Sequence, residues 1–238
     1  MKRKLLFGIA ALALTTLLGT VSIAVSKSNT QQVAKKLDVD NGNDIPIEMS
    51  EEEREKIKNG EEIKKDDILI KGLDEYTASY YKKFIFGNEK VEEIYNPEGY
   101  NLESINTGIS SGQLIGGNLS LICSSLGTKY EINTKNKILF LEEVEEPPYK
   151  IDRMLTQLKQ SGKLKDVNGI VLGTFTNCIA PNTKKSLSLQ DVFNEIILPL
   201  NKPTLSNLAC GHCLPTLTLP LGSKVLLDAN TKKIKILE

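Results

Sequence analysis

The chain has no tryptophan, one histidine and four cysteines, and aromatic residues make up only 5% of its 238 positions. So few rings argue against a stacking platform for bases or sugars. A charge excess of either sign is also missing, since thirty basic residues balance thirty acidic ones, and no basic block follows residue 27. Nothing of the kind that neutralises phosphates or steers the chain to anionic lipid is present, so nucleic acid is excluded as a partner.

What is present begins with a targeting segment. Lys2, Arg3 and Lys4 precede an apolar run from Leu5 to Val25, and polar Ser26, Lys27, Ser28 and Asn29 follow it. This reads as a signal peptide, with small Ser22 and Ala24 offering a cleavage site, or, if uncut, as a membrane anchor long enough to span a bilayer. Either way the remainder is expected to be secreted or held on the outer face of the cytoplasmic membrane. No cysteine stands directly after the run, which argues against a lipoprotein. Residues 27–65 are rich in Lys, Glu, Asp and Asn and lack apolar periodicity, so they read as a solvated, disordered linker. A capping box at Ser50 to Glu53 and a stop at Gly60 allow one short exposed helix within it. The expected organisation is therefore a signal or anchor over 1–26, the linker over 27–65, and one folded domain over 66–238.

Order is expected from the apolar run at Asp67 to Ile70, followed by a helix over Asp74 to Phe86 with Tyr76, Tyr80 and Phe84 on one core-facing side. Gly108, Gly112, Gly116 and Gly117 punctuate the next stretch and predict a glycine-lined turn feeding a helix from Leu119, stopped at Gly127. Asn101 to Thr107 reads as a poor strand. Ile138 to Leu141 predicts a buried strand with an acid cluster, Glu142 to Glu146, at its carboxyl end, where α/β folds place chemistry. An amphipathic helix over Lys150 to Ser161, a buried strand over Gly169 to Phe175, a helix over Leu189 to Leu198 and a terminal hairpin of 224–227 with 234–237 complete the pattern. Alternating strands and helices give the fold class as α/β, or mixed α+β.

The lone histidine, His212, sits in Cys210-Gly211-His212-Cys213. That tetrapeptide matches the redox signature of disulfide isomerases, where a helix N-terminus lowers the first thiol's pKa. Here extended, proline-marked Leu214 to Pro220 follows, with no helix to supply the dipole. A zinc site from Cys123, Cys178, Cys210 and Cys213 would draw on three distant segments with one C-x-x-C pair, so no metal and no cofactor is expected. Cys123 and Cys178 read as small buried hydrophobes, and a disulfide from Cys210 to another cysteine stays open.

Several segments, in order, resemble the C-terminal domain of the LD-carboxypeptidases, serine peptidases that include the microcin-immunity type. They are Gly112 to Leu119 (GQLIGGNL), Leu126 to Thr128 (LGT), Ile138 to Val144 (ILFLEEV), Pro148 to Leu155 (PYKIDRML), Gly169 to Gly173 (GIVLG), Lys202-Pro203, Gly211-His212 and Leu219 to Gly222 (LPLG). The resemblance implies a Ser-His-Glu triad that removes a terminal D-residue from L,D-linked muropeptides or cleaves related amide conjugates. It assigns Glu142 as the triad acid and His212 as the general base, and places Gly116, Gly117 and Asn118 beside the peptide groove. Glu143, where the family usually has Asp, and the cysteines flanking His212 depart from its pattern.

In that family the nucleophile lies in a preceding domain, in a Gly-Tyr-Ser-Asp type turn, and no such turn occurs in this sequence. Gly108-Ile109-Ser110-Ser111-Gly112 matches G-x-S-x-G, which makes Ser110 the alternative nucleophile, but it lacks a strong strand before it and a helix directly after it. The expected function is an LD-carboxypeptidase-like serine peptidase domain, incomplete or inactive alone. A second chain carrying the nucleophile domain, or a homodimer, would then cover the exposed face. The alternative is a noncatalytic cell-wall-peptide-binding module or a truncated pseudoenzyme.

Overall fold

The computed structural model describes residues 73–86, 90–180, 182 and 186–237. The apolar run 5–25, the linker 27–65 and the apolar run at Asp67 to Ile70 lie outside the described residues. Among the described residues, no helix is long and apolar enough to cross a membrane.

Helix α1 (Glu75–Phe86) leads into strands β1 (Glu93–Ile94), β2 (Glu103–Asn106) and β3 (Ile109–Asn118), then α2 (Leu119–Ser125), β4 (Ile138–Val144), α3 (Pro148–Gln160) and β5 (Gly169–Thr176). After these come α4 (Leu189–Ile196), a 3-10 turn at Leu198–Leu200, β6 (Thr204–Ser206), β7 (Lys224–Asp228) and β8 (Lys233–Leu237). The strands form one sheet in the order β1-β8-β7-β3-β4-β5-β6-β2. The centre, β3 through β6, is parallel, and the flanks are antiparallel. The fold is α/β with an antiparallel hairpin added.

Local chemistry sets the helix ends. Asp74 caps α1 by accepting from the Thr77 N–H at 2.9 Å. Pro148 occupies the first turn of α3, where a missing N–H costs nothing. Ser188 and Asp191 form a reciprocal capping box on α4. The apolar stripes of α2, α3 and α4 then cover one face of the sheet, where Leu139, Leu141, Ile170 and Leu172 meet Leu119, Ile151, Leu155, Leu158, Val192 and Ile196. On the other face Ile138, Phe140 and Val171 pack with Val225 and Leu227 of the hairpin, Tyr80 of α1, and Leu208, Cys210, Leu217 and Leu219 of a long loop. Burying a leucine or isoleucine side chain is worth about 1.5–3 kcal/mol, so both faces contribute to a stable core.

Two sequence readings need correction. Gly112, Gly116 and Gly117 do not make a turn before α2; β3 runs through them and the helix starts directly after it, at Leu119. Gly112 and Gly116 serve close approach instead. A Cβ on Gly112 would fall 2.8 Å from the Asn136 carbonyl oxygen, and one on Gly116 would fall 1.8 Å from that of Phe140. Asn101 to Thr107, a poor strand by composition, supplies edge strand β2, whose pairing with β6 shifts register between Ser104 and Asn106. Edge strands tolerate such irregularity.

Gly116 and Gly117 both have positive φ, +132° and +144°, but only Gly116 meets backbone, whereas a Cβ on Gly117 has nothing within 4 Å. Gly117→Ala should therefore lose about 1–3 kcal/mol from backbone strain alone. Gly116→Ala should lose at least about 2 kcal/mol more or fail to fold. Urea unfolding of the two variants tests this, and equal losses would show that Phe140 yields easily.

Candidate active site

Glu142 lies near the carboxyl end of β4, level with Asn118 of β3, and on its other side the β4–β5 register shifts between Leu141 and Glu143. Alternation along the strand sends Glu142 to the face of Phe140 and Glu143 to the face of Leu141. The loop that follows β6 crosses the Glu142 face and carries His212, whose Nδ1 is 2.8 Å from Glu142 Oε2. The two residues are 3% and 8% exposed, so the pair is shielded from water.

Glycines permit this approach. Gly173 on β5 faces the loop so closely that a Cβ would sit 2.4 Å from the Cys210 carbonyl oxygen, and a Cβ on Gly211 would sit 2.6 Å from Glu142 Oε2. With those side chains absent, the loop fastens to the sheet through the Thr174 N–H and the Cys210 carbonyl at 3.0 Å, and through the Leu208 N–H and the Leu172 carbonyl at 3.1 Å. Asn96 holds the loop's start, its Nδ2 donating to the Asn207 carbonyl at 2.7 Å and its Oδ1 accepting from the Ala209 N–H at 2.9 Å.

Glu143 does a different job. Its carboxylate accepts from Asn118 Nδ2 (2.7 Å), the Ser120 N–H (2.8 Å), the Ser120 hydroxyl (2.6 Å) and its neighbour's Val144 N–H (3.1 Å). Asn118 in turn caps α2 by accepting from the Leu121 N–H at 3.1 Å. Glu143 thus pins the β3–α2 corner, where Asn118 lies level with Glu142 and Gly117 and Gly116 precede it along β3.

Ser110 lies elsewhere. It pairs with Leu227 at the start of β3, and at about 3.3 Å per residue it is roughly 25 Å along the strand from Asn118 and the level of Glu142. Its Oγ is enclosed and has no hydrogen-bond partner. The Gly108–Gly112 segment is the beginning of a strand, not a strand-to-helix elbow, and the structure does not bring Ser110 to His212. A groove of about 320 Å³ between Tyr95, Tyr100 and Lys232 includes neither Glu142 nor His212.

None of the four cysteines is in a disulfide. Cys210 donates to the Leu217 carbonyl at 3.2 Å and Cys213 to that of Pro215 at 3.4 Å. Burial pushes the Cys123 and Cys178 thiols up to about 11 and the Cys210 thiol well above its ordinary range, and it also raises the thiol of Cys213, the one of the four that is only half-buried. A raised thiol holds little thiolate at pH 8. In the native chain at pH 8, a disulfide reagent such as Ellman's should label Cys213 slowly and leave the other three intact. All four should react in denaturant, and mass mapping of the labelled peptides checks the order; fast native labelling of Cys210 would contradict the burial.

Residues 111–227 match the LD-carboxypeptidase C-terminal domain. A probable murein peptide carboxypeptidase of Bacillus subtilis is 40% identical over 166 residues, covering 70% of this chain and 51% of that protein. The murein tetrapeptide carboxypeptidase of Pseudomonas aeruginosa is 34% identical over 120 residues, covering 50% of this chain and 38% of that protein. Among solved structures, a MccF-like protein from Bacillus anthracis superposes with a TM-score of 0.60 at 27% identity, over 72% of this chain and 58% of that one. The chain thus spans about half the length, or less, of the curated relatives it matches. The chain thus carries the C-terminal domain of the LD-carboxypeptidase family.

Proposed function

We propose that this domain supplies the general base and its orienting carboxylate to a serine carboxypeptidase that cleaves L,D-peptide bonds of muropeptides. The observation that carries the reading is the shielded 2.8 Å contact between His212 and Glu142 at the carboxyl end of parallel strands. Its support in kinship is that relatives are named for carboxypeptidase action on murein peptides.

A carboxylate only accepts, so in this pair the imidazole proton sits on Nδ1 and Nε2 is the basic nitrogen. His212 would take the proton of a serine hydroxyl as its oxygen attacks the carbonyl carbon, then give it to the departing amine of the D-residue. Glu142 would fix the ring's orientation and stabilise its cationic form between those steps. The serine, in this reading, comes from a separate chain bearing the family's nucleophile domain, and Ser110 takes no part. Gly116, Gly117 and Asn118 would border the bound peptide. The apolar run 5–25 would export the domain or anchor it outside the cytoplasmic membrane, where a cell-wall peptide is met.

The test is D-alanine release from an L,D-tetrapeptide by the full chain, alone and mixed with the nucleophile-bearing half of the Bacillus subtilis relative. Turnover is expected in the mixture, unchanged by Ser110→Ala and reduced by roughly 10⁴-fold in Glu142→Gln or His212→Ala. Turnover by the chain alone that vanishes with Ser110→Ala would make Ser110 the nucleophile. A folded mixture that binds the peptide without cleaving it would leave a binding module.

A further inference from the structure

The loop that presents His212 is held on its β5 side by Thr174, and on its far side by a residue of α1. Thr77 is 1% exposed. Its hydroxyl donates to Asp74 Oδ2 at 2.6 Å and accepts from the Thr216 N–H at 2.9 Å. The Thr216 hydroxyl donates back to the Gly211 carbonyl at 3.3 Å, closing the segment from Gly211 to Thr216 around His212. A continuous path of hydrogen bonds therefore runs from Asp74 through Thr77 and Thr216 to the peptide bond that precedes the imidazole.

Capping alone does not account for Thr77. Asp74 already satisfies the helix end, and a threonine in the first turn is a poorer helix former than alanine or glutamate. What the hydroxyl adds is an acceptor for the Thr216 N–H. Helix α1 is fixed independently of it, because Tyr76 Oη donates to the Tyr95 carbonyl, Tyr80 Oη accepts from the Tyr95 N–H at 3.0 Å, and Tyr80 packs in the core with Cys210, Leu217 and Leu219. Thr77 also precedes residue 111, where the match to the family's domain begins.

We infer that Thr77 is a positioning residue for His212, acting through Thr216 to hold the imidazole in register with Glu142. The role rests on reading His212 as the base. Because the chain has one histidine, its ring nitrogens give a single pair of signals in ¹H–¹⁵N spectra of the full, ¹⁵N-labelled chain. At a pH where the ring is neutral, the wild type should show its proton on Nδ1, and Glu142→Gln should show an average of the two tautomers. Thr77→Val should retain its circular dichroism yet shift the ring signals toward that average, and Thr77→Ser should restore the wild-type positions. Thr216→Val, which removes only the hydroxyl on Gly211, should show the same averaging and serves if Thr77→Val does not fold. Wild-type signals in either folded valine variant, an averaged ring in the wild type, or failure of Thr77→Ser to restore it would overturn the inference. Turnover is not read, so absence of peptidase activity would count against the proposed function and not against this role.

Discussion

The contact between Glu142 and His212 exists because two glycines let an irregular loop lie against a central strand at a distance that no side chain would allow. With a Cβ at Gly173 the loop would be pushed off β5, and with one at Gly211 the carboxylate of Glu142 would be struck directly. Desolvating a carboxylate costs several kcal/mol unless a well-placed partner offsets it. Close approach is thus a condition for burying Glu142, and the positive φ of Gly211, +125°, is the backbone form that delivers His212 to it.

Adjacent acids on β4 divide two tasks because a strand sends neighbours to opposite faces. Glu143 enters the side of the helices and is saturated by donors from Asn118, Ser120 and Val144, which ties the β3–α2 corner in place. Glu142 enters the side of the loop and has His212 as its hydrogen-bond partner. The first carboxylate is architectural, since every lone pair that matters is already engaged. The second is held by a group that can change its own protonation, which is the property acid–base chemistry requires.

Much of this was legible in the sequence. The helices over 150–161 and 189–198 and the strands over 138–141 and 169–175 announced themselves by period and by their stops, and the structure moves their ends by a few residues only. The glycines of 108–117 misled because glycine marks both turns and close contacts, and only the neighbour across the strand, Phe140 or Asn136, tells the two apart. Strands β1 and β6 were invisible for another reason, and β2 read only as a poor strand: at 2, 3 and 4 residues respectively they are too short to show alternation and owe their form to pairing. Glu142 and His212 were named from motifs, but Thr77 carries no local signal. Its partner Thr216 is 139 positions away, and nothing in the sequence around either residue refers to the other.

A buried Glu–His pair can be mere packing, and the surroundings of this one argue for more. If the pair served stability alone, apolar residues of like volume would do as well or better. Instead the fold spends Gly173 and Gly211 on admitting the loop, and ties that loop to β5 through Thr174, to the β1–β2 segment through Asn96 and to α1 through Thr77. Three independent tethers on one irregular segment restrict where a single side chain can point. Such restriction is what a base needs, because proton transfer demands a heavy-atom approach of about 2.6–3.2 Å. A hydroxyl brought to His212 would then meet a ring already oriented by Glu142. On the proposed reading, proton-transfer geometry would belong to this domain, and bond-making geometry to whatever positions the hydroxyl.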